Sequence, residues 1–277
     1  MNRYSLILLD IDGTLLDSRN EISPNTKRLL TRLDKKGVPV VLTSARAPGE
    51  TEPVAQQAGV HAPAICYNGG LILDENRSIL EDAGIPRADA LAFKAFAAAQ
   101  FPDICVSGYV YDIWVVDNPE DERVRRLAEL NRKEPFQGAL SSALRMTNHV
   151  HKLLCLGSPR RIQELRARTE TEFPMLDSTP SSTASLEILR KGVSKYTAME
   201  TIQRYYGIGA EQIVAIGDYY VDIETLRTAG LGIAMGNAPE SVKNAAHRVT
   251  ATHDEDGVYI ALKSLRLQSP CGSKAGT

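Results

Sequence analysis

Tyr4–Ser5–Leu6–Ile7–Leu8–Leu9–Asp10–Ile11–Asp12–Gly13–Thr14 is an apolar run that meets two carboxylates with nothing between. A run apolar nearly throughout suits a strand buried on both faces, as in a parallel sheet. In open parallel sheets, ligands bind beyond the carboxyl ends of the strands. Asp10 and Asp12, one residue apart at such an end, can therefore approach one centre, and Gly13 lets the backbone turn away. A hydrolytic site needs a nucleophile and a proton donor at such a place. Asp–x–Asp–Gly also occurs in calcium loops, but there further ligands and a distal Glu are required. Here Leu15 and Leu16 interrupt, although Asp17 is present.

Outward from this stretch the pattern alternates. Ser23 caps a helix with Pro24 in its first turn, Leu29, Leu30 and Leu33 on one face, and Gly37 at its end. Val38 to Thr43 reads as a buried strand, Pro48 to Gly59 as a helix, and Pro63 to Tyr67 as a third strand before the turn Asn68–Gly69–Gly70. Late in the chain Ser194 caps a helix closed by Gly207. Ile213 to Ile216 is a strand, Val221 to Ala229 a short helix, and Leu231 to Met235 another strand. Strands alternating with helices imply a mostly parallel sheet covered on both faces. The middle differs: a helix over Ala90 to Ala99, alternating strand-like stretches at Val110 to Val116, Lys152 to Leu156 and Ser185 to Leu189, and a charged helix from Arg160 to Phe173. The expected organisation is an α/β core over 1–85 and 190–267, an inserted α+β domain over 86–189, and a loose tail over 268–277.

With 277 residues the chain suits two domains, and its 43% apolar share supports a sizeable core. A formal charge of −2 points to neither nucleic acid nor a strongly basic partner. The cysteines Cys66, Cys105, Cys155 and Cys271 form no CxxC pair and no zinc spacing, as expected of reduced thiols in a cytoplasmic protein. The first apolar run is too short for a signal peptide, and no stretch approaches the roughly 20 apolar residues of a membrane span.

Three further segments, two at strand ends and one at a helix start, carry chemistry. Thr43–Ser44–Ala45–Arg46 offers a hydroxyl and backbone N–H groups to phosphate oxygens, or is a plain strand-to-helix loop. Lys195 opens a helix, where its ammonium adds to the field of the helix N-terminus; Lys191 competes for that role, and a solvated lysine is the plain alternative. Gly217–Asp218–Tyr219–Tyr220–Val221–Asp222 follows a buried strand, and its carboxylates are hard ligands suited to magnesium. Asp222 could instead simply favour a helix start.

These four segments, in this order at the ends of elements, resemble the haloacid dehalogenase superfamily of phosphohydrolases, and more narrowly its Cof-type branch with an α/β (type IIB) cap. Asn68–Gly69, Met235–Gly236–Asn237–Ala238 and Asp256–Gly257–Val258 are also family-like. The resemblance implies an α/β fold with a Rossmann-like core and an inserted cap that selects substrates. It implies a Mg2+-dependent phosphatase acting on a small-molecule phosphate ester, such as a sugar phosphate or related metabolite. Asp10 would become phosphorylated, and Asp12 would act as acid and then base. Thr43, Ser44 (through its N–H) and Lys195 would hold the phosphoryl group. Asp10, the Asp12 carbonyl, Asp218 and Asp222, direct or through water, would hold the metal.

The chain departs from the family pattern at Val221, where Asn is usual, at Tyr219 and Tyr220, at Tyr196 and at Ser44–Ala45. A phosphotransferase or phosphomutase with the same intermediate, or a weak ligand-binding relative, are the alternatives. His149 and His151 would share a strand face and are expected as surface or core histidines rather than a metal pair. Tyr109 and Tyr111 would share a face but not Trp114, and packing within the inserted domain is expected of these aromatics rather than substrate contact. The run Glu120 to Arg126 reads as a solvated helix face.

Overall fold

The computed structural model describes residues 4–145 and 147–270. Cys271 and the tail from 271 on lie outside the described residues. The chain divides into two compact units: residues up to Asp82 with those from Ser194 on, and Ala83–Val193 between them.

The first unit begins with β1 (Leu6–Asp10), α1 (Pro24–Lys35), β2 (Val40–Thr43), α2 (Pro48–Ala58), β3 (Ala64–Cys66), β4 (Leu71–Leu73) and β5 (Ile79–Asp82). The second contains β6 (Ile85–Pro86), α3 (Arg87–Gln100), β7 (Cys105–Val110), β8 (Ile113–Val116), α4 (Glu122–Asn131), β9 (Phe136–Gln137), α5 (Leu140–Ala143), β10 (His149–Val150), β11 (Lys152–Leu156), α6 (Pro159–Glu172), β12 (Leu176–Ser182) and β13 (Ser185–Arg190). The first unit then resumes with α7 (Lys195–Tyr206), β14 (Ile213–Gly217), α8 (Ile223–Thr228), β15 (Leu231–Ala234), α9 (Glu240–Ala245), β16 (Arg248–Val249) and α10 (Gly257–Leu262).

The eight strands of the first unit run β16-β15-β14-β1-β2-β3-β4-β5. All pairs from β16 to β3 are parallel; β4 and β5 add an antiparallel edge. Period-two alternation splits the central strand between two cores. Ile7 and Leu9 pack with Leu30 and Leu33 of α1, Val54 of α2 and Leu262 of α10. Leu6 and Leu8 pack with Met199 and Ile202 of α7, Leu226 of α8 and Val242 of α9. Both faces of β1 are thus dry, as its unbroken apolar run requires. Ser23 caps α1 by accepting the Thr26 N–H, and Gly59 closes α2 in the left-handed region.

The second unit carries its own sheet, ordered β12-β13-β11-β7-β8-β9, over a core that joins Phe93 and Ala97 of α3 to Ile162 and Leu165 of α6. The stretch Val110 to Val116 is not one strand, as expected, but the close of β7, a turn, and β8. Tyr111 takes a positive φ of 48° and reverses the chain. The reversal makes Tyr109 and Trp114 cross-strand partners, stacked with centroids 5.8 Å apart, while Trp114 Nε1 donates to Ser107 Oγ. Of α4 only Val124 is buried, which fits its reading as a solvated helix. Among the described residues no helix is long and apolar enough to cross a membrane.

Candidate active site

The carboxyl ends of β1, β2 and β14, neighbours in the sheet, bring Asp10, Thr43 and Asp218 to one edge. Asp10 stands opposite Thr43 in the parallel register, and both are buried. Lys195 reaches this edge from the first turn of α7, whose N-terminus Ser194 caps by accepting the Thr197 N–H at 3.1 Å. A close approach makes this possible. Gly69, at φ +112°, has no Cβ; one there would lie 2.5 Å from the Ser194 carbonyl. The turn at Asn68–Gly69 therefore sets where α7 begins.

Lys195 is 3% exposed, and its Nζ lies 2.5 Å from Asp10 Oδ1 and 2.7 Å from Asp222 Oδ1. Lys191, the competitor, belongs to the other unit, is well exposed and pairs with Asp177 at 2.6 Å. Asp10, Asp218 and Asp222 present oxygens within 4.8 Å of one another. Three carboxylates thus cluster beside one ammonium, which pairs with Asp10 and Asp222. Burial pushes the Asp10 carboxyl well above its ordinary value; Lys195 pulls it back, and Asp222 and Asp218 add to the rise. Burial also opposes the Lys195 charge, but Asp10 and Asp222 outweigh it and raise its pKa. Asp218 is raised by burial, partly offset by the hydrogen bond from Thr14. An excess of negative charge on hard oxygens makes this a candidate cation site.

The other carboxylates are held by specific donors. Thr14 Oγ1 donates to Asp218 Oδ1 at 2.9 Å. Asp222 Oδ2 accepts the backbone N–H groups of Asp218 and Tyr219 at 3.1 and 3.0 Å. Asp222 is therefore more than a helix-start carboxylate: it shapes the loop that carries Asp218. Gly13, at φ +76°, leaves room for Asp218, because a Cβ there would lie 2.4 Å from its Oδ2.

Asp12 stands apart from the buried cluster. Its carboxylate is half exposed and takes a two-pronged pair from Arg46, with Nε 2.9 Å and Nη2 2.5 Å away. Arg46 lay inside the quoted Thr43–Arg46 segment without a role; its place three residues past the end of β2 was the available signal. The Ser44 N–H does not point to a phosphate site as expected. It donates to the Ile65 carbonyl at 2.9 Å, the bond that closes the β2–β3 ladder beside the Thr43–Ile65 pair. The Ser44 hydroxyl accepts the Arg46 N–H at 3.1 Å and so shapes the same loop. Asn237 was also missed as a site residue: its Nδ2 donates to the Gly13 carbonyl at 2.9 Å.

Comparison with known proteins agrees with this geometry. The haloacid dehalogenase-like hydrolase family matches residues 7–262. A provisionally named phosphatase of Haemophilus influenzae is 31% identical over 262 residues, which cover 94% of this chain and 97% of that protein. A Bacillus subtilis protein named 5-amino-6-(5-phospho-D-ribitylamino)uracil phosphatase is 29% identical, over 93% of this chain and 96% of its own length. Among solved structures, a haloacid dehalogenase-like hydrolase from Bacteroides thetaiotaomicron superposes with a TM-score of 0.84 at 28% identity, covering 94% of this chain and 99% of that one. The chain belongs to the haloacid dehalogenase-like hydrolase family and is one of its phosphatases.

Proposed function

We propose that the chain hydrolyses a small-molecule phosphate monoester through a phospho-aspartate on Asp10. The observation that carries this reading is the buried contact of Lys195 with Asp10 at 2.5 Å, at the carboxyl edge of a parallel sheet. An Asp10 oxygen attacks phosphorus and the ester oxygen leaves, taking a proton from Asp12. Asp12 then removes a proton from water, whose oxygen attacks the same phosphorus and releases phosphate, restoring Asp10. Lys195 and Thr43 hold the phosphoryl oxygens, and Lys195 offsets the meeting of two anions. The Arg46 pair occupies both Asp12 oxygens, so it has to open for either proton transfer. Asp10, the Asp12 carbonyl and Asp218 would hold Mg2+, with Asp222 through water. The bound ion would draw charge from the phosphoryl oxygens in the transition state. The choice of ester we assign to the inserted unit.

The test is phosphate release from a broad panel of phosphate esters, with Mg2+ and with chelator, for the parent and Asp10→Asn. Magnesium-dependent release that disappears in the variant is the expected result. Near-parental release by a folded Asp10→Asn protein would overturn the mechanism.

A further inference from the structure

Beyond the end of β15 the chain passes through Met235 and Gly236 to Asn237. This side chain is exposed, yet it is engaged at both ends. Its Nδ2 donates to the Gly13 carbonyl at 2.9 Å and lies 3.4 Å from Asp218 Oδ2. Its Oδ1 accepts the His253 N–H at 3.1 Å. The orientation of the amide is therefore fixed by its partners. A carbonyl can only accept and a backbone N–H can only donate, so the NH2 group must face Gly13. One N–H is spent on Gly13, and the second is left for Asp218.

Asp218 then receives one donor at each oxygen from different loops: Thr14 at Oδ1 and Asn237 at Oδ2. The Val221 side chain has no donor to give. Gly13 contributes by absence, since a Cβ would occupy the space that the Asp218 carboxylate fills. Donors of this kind fix the rotation of a ligating carboxylate before the ion arrives.

We propose that Asn237 is a positioning residue for Asp218, holding that carboxylate in the orientation the cation site uses. The proposal rests on the reading of Asp218 as a metal ligand. Loss of such an outer partner typically weakens metal binding by about 10–100-fold.

The experiment is a Mg2+ titration of the whole chain, read by calorimetry and by melting temperature, for the parent, Asn237→Ala and Asp218→Asn. Asn237→Ala should melt near the parent without metal, because the residue is exposed. It should need at least about 10-fold more Mg2+ for half-maximal stabilisation. In phosphate release, the Mg2+ requirement should rise while kcat at saturating Mg2+ is largely kept; a merely structural role would lower the metal-free melting temperature instead. Asn237→Ser is too short to span the three partners and should give the same shift, which keeps the test open if the alanine variant fails to fold. Parental Mg2+ dependence in either folded variant, with Asp218→Asn unable to respond, would overturn the proposal alone. Parental Mg2+ dependence in Asp218→Asn would overturn both the proposal and the reading beneath it.

Discussion

At the scale of single residues, the site is a balance of charges held out of water. Lys195 meets Asp10 and Asp222 while almost fully enclosed, and each group is tolerable only because of the others. Replacing Lys195 by Met should abolish turnover and destabilise the metal-free protein by about 3–5 kcal/mol, the usual result of leaving buried charge uncompensated. Its pH dependence has a definite sign. Asp10 already has its carboxyl raised in the folded state, chiefly by burial. A group raised on folding favours the folded state at low pH, and that contribution is lost as pH rises through the folded value. Without the ammonium the rise is larger, so the stability gap between Lys195→Met and the parent should narrow on acidification. Thermal melts of both proteins from neutral to mildly acid pH would show this, and a gap that widens on acidification would contradict it.

At the scale of elements, close backbone approach places the lysine. Gly69 lies against the Ser194 carbonyl, at a φ that side chains rarely adopt. Gly69→Ala should push the start of α7 outward and cost about 1–3 kcal/mol, as overpacking does. Turnover should fall further than stability, since Lys195 is in the first turn of α7; unchanged turnover in a destabilised variant would break that link. The same elements show what can be read before a fold is known. Asp10, Asp218 and Lys195 were legible because buried strands and a capped helix announce where their ends fall. Arg46 and Asn237 were not, because their partners Asp12, Gly13 and His253 are set by loops that only the assembled sheet brings together. The Ser44 N–H was misassigned because which N–H closes the ladder to β3 is set by a neighbouring strand that the letters around Ser44 do not reveal. Val110 to Val116 was read as one strand for a related reason: the turn falls on Tyr111 and Asp112, and the positive φ is taken by Tyr111 rather than by a Gly or Asn.

At the scale of the whole molecule, each unit has its own core, and the candidate cation site lies wholly in the first. The single tryptophan, Trp114, is buried in the second. Mg2+ stabilises only what binds it, by mass action. In denaturant titrations, Mg2+ should therefore shift the loss of overall secondary structure more than the Trp114 fluorescence transition. Two coincident transitions shifted equally would mean that the units unfold as one.

The order of strands in the first sheet also bears on how the chain is made. Leu6 of β1 pairs with Ile213 of β14, on the far side of the inserted segment. A ribosome adding about 5–20 residues per second leaves on the order of 10–40 s between the two strands. Throughout that interval one edge of β1 waits without its neighbour, while Ala83–Val193, contiguous in sequence, can already close around its own core. Nascent chains halted before residue 213 should thus carry a folded middle and an unfinished beginning, and they are the species for which chaperones and aggregation compete.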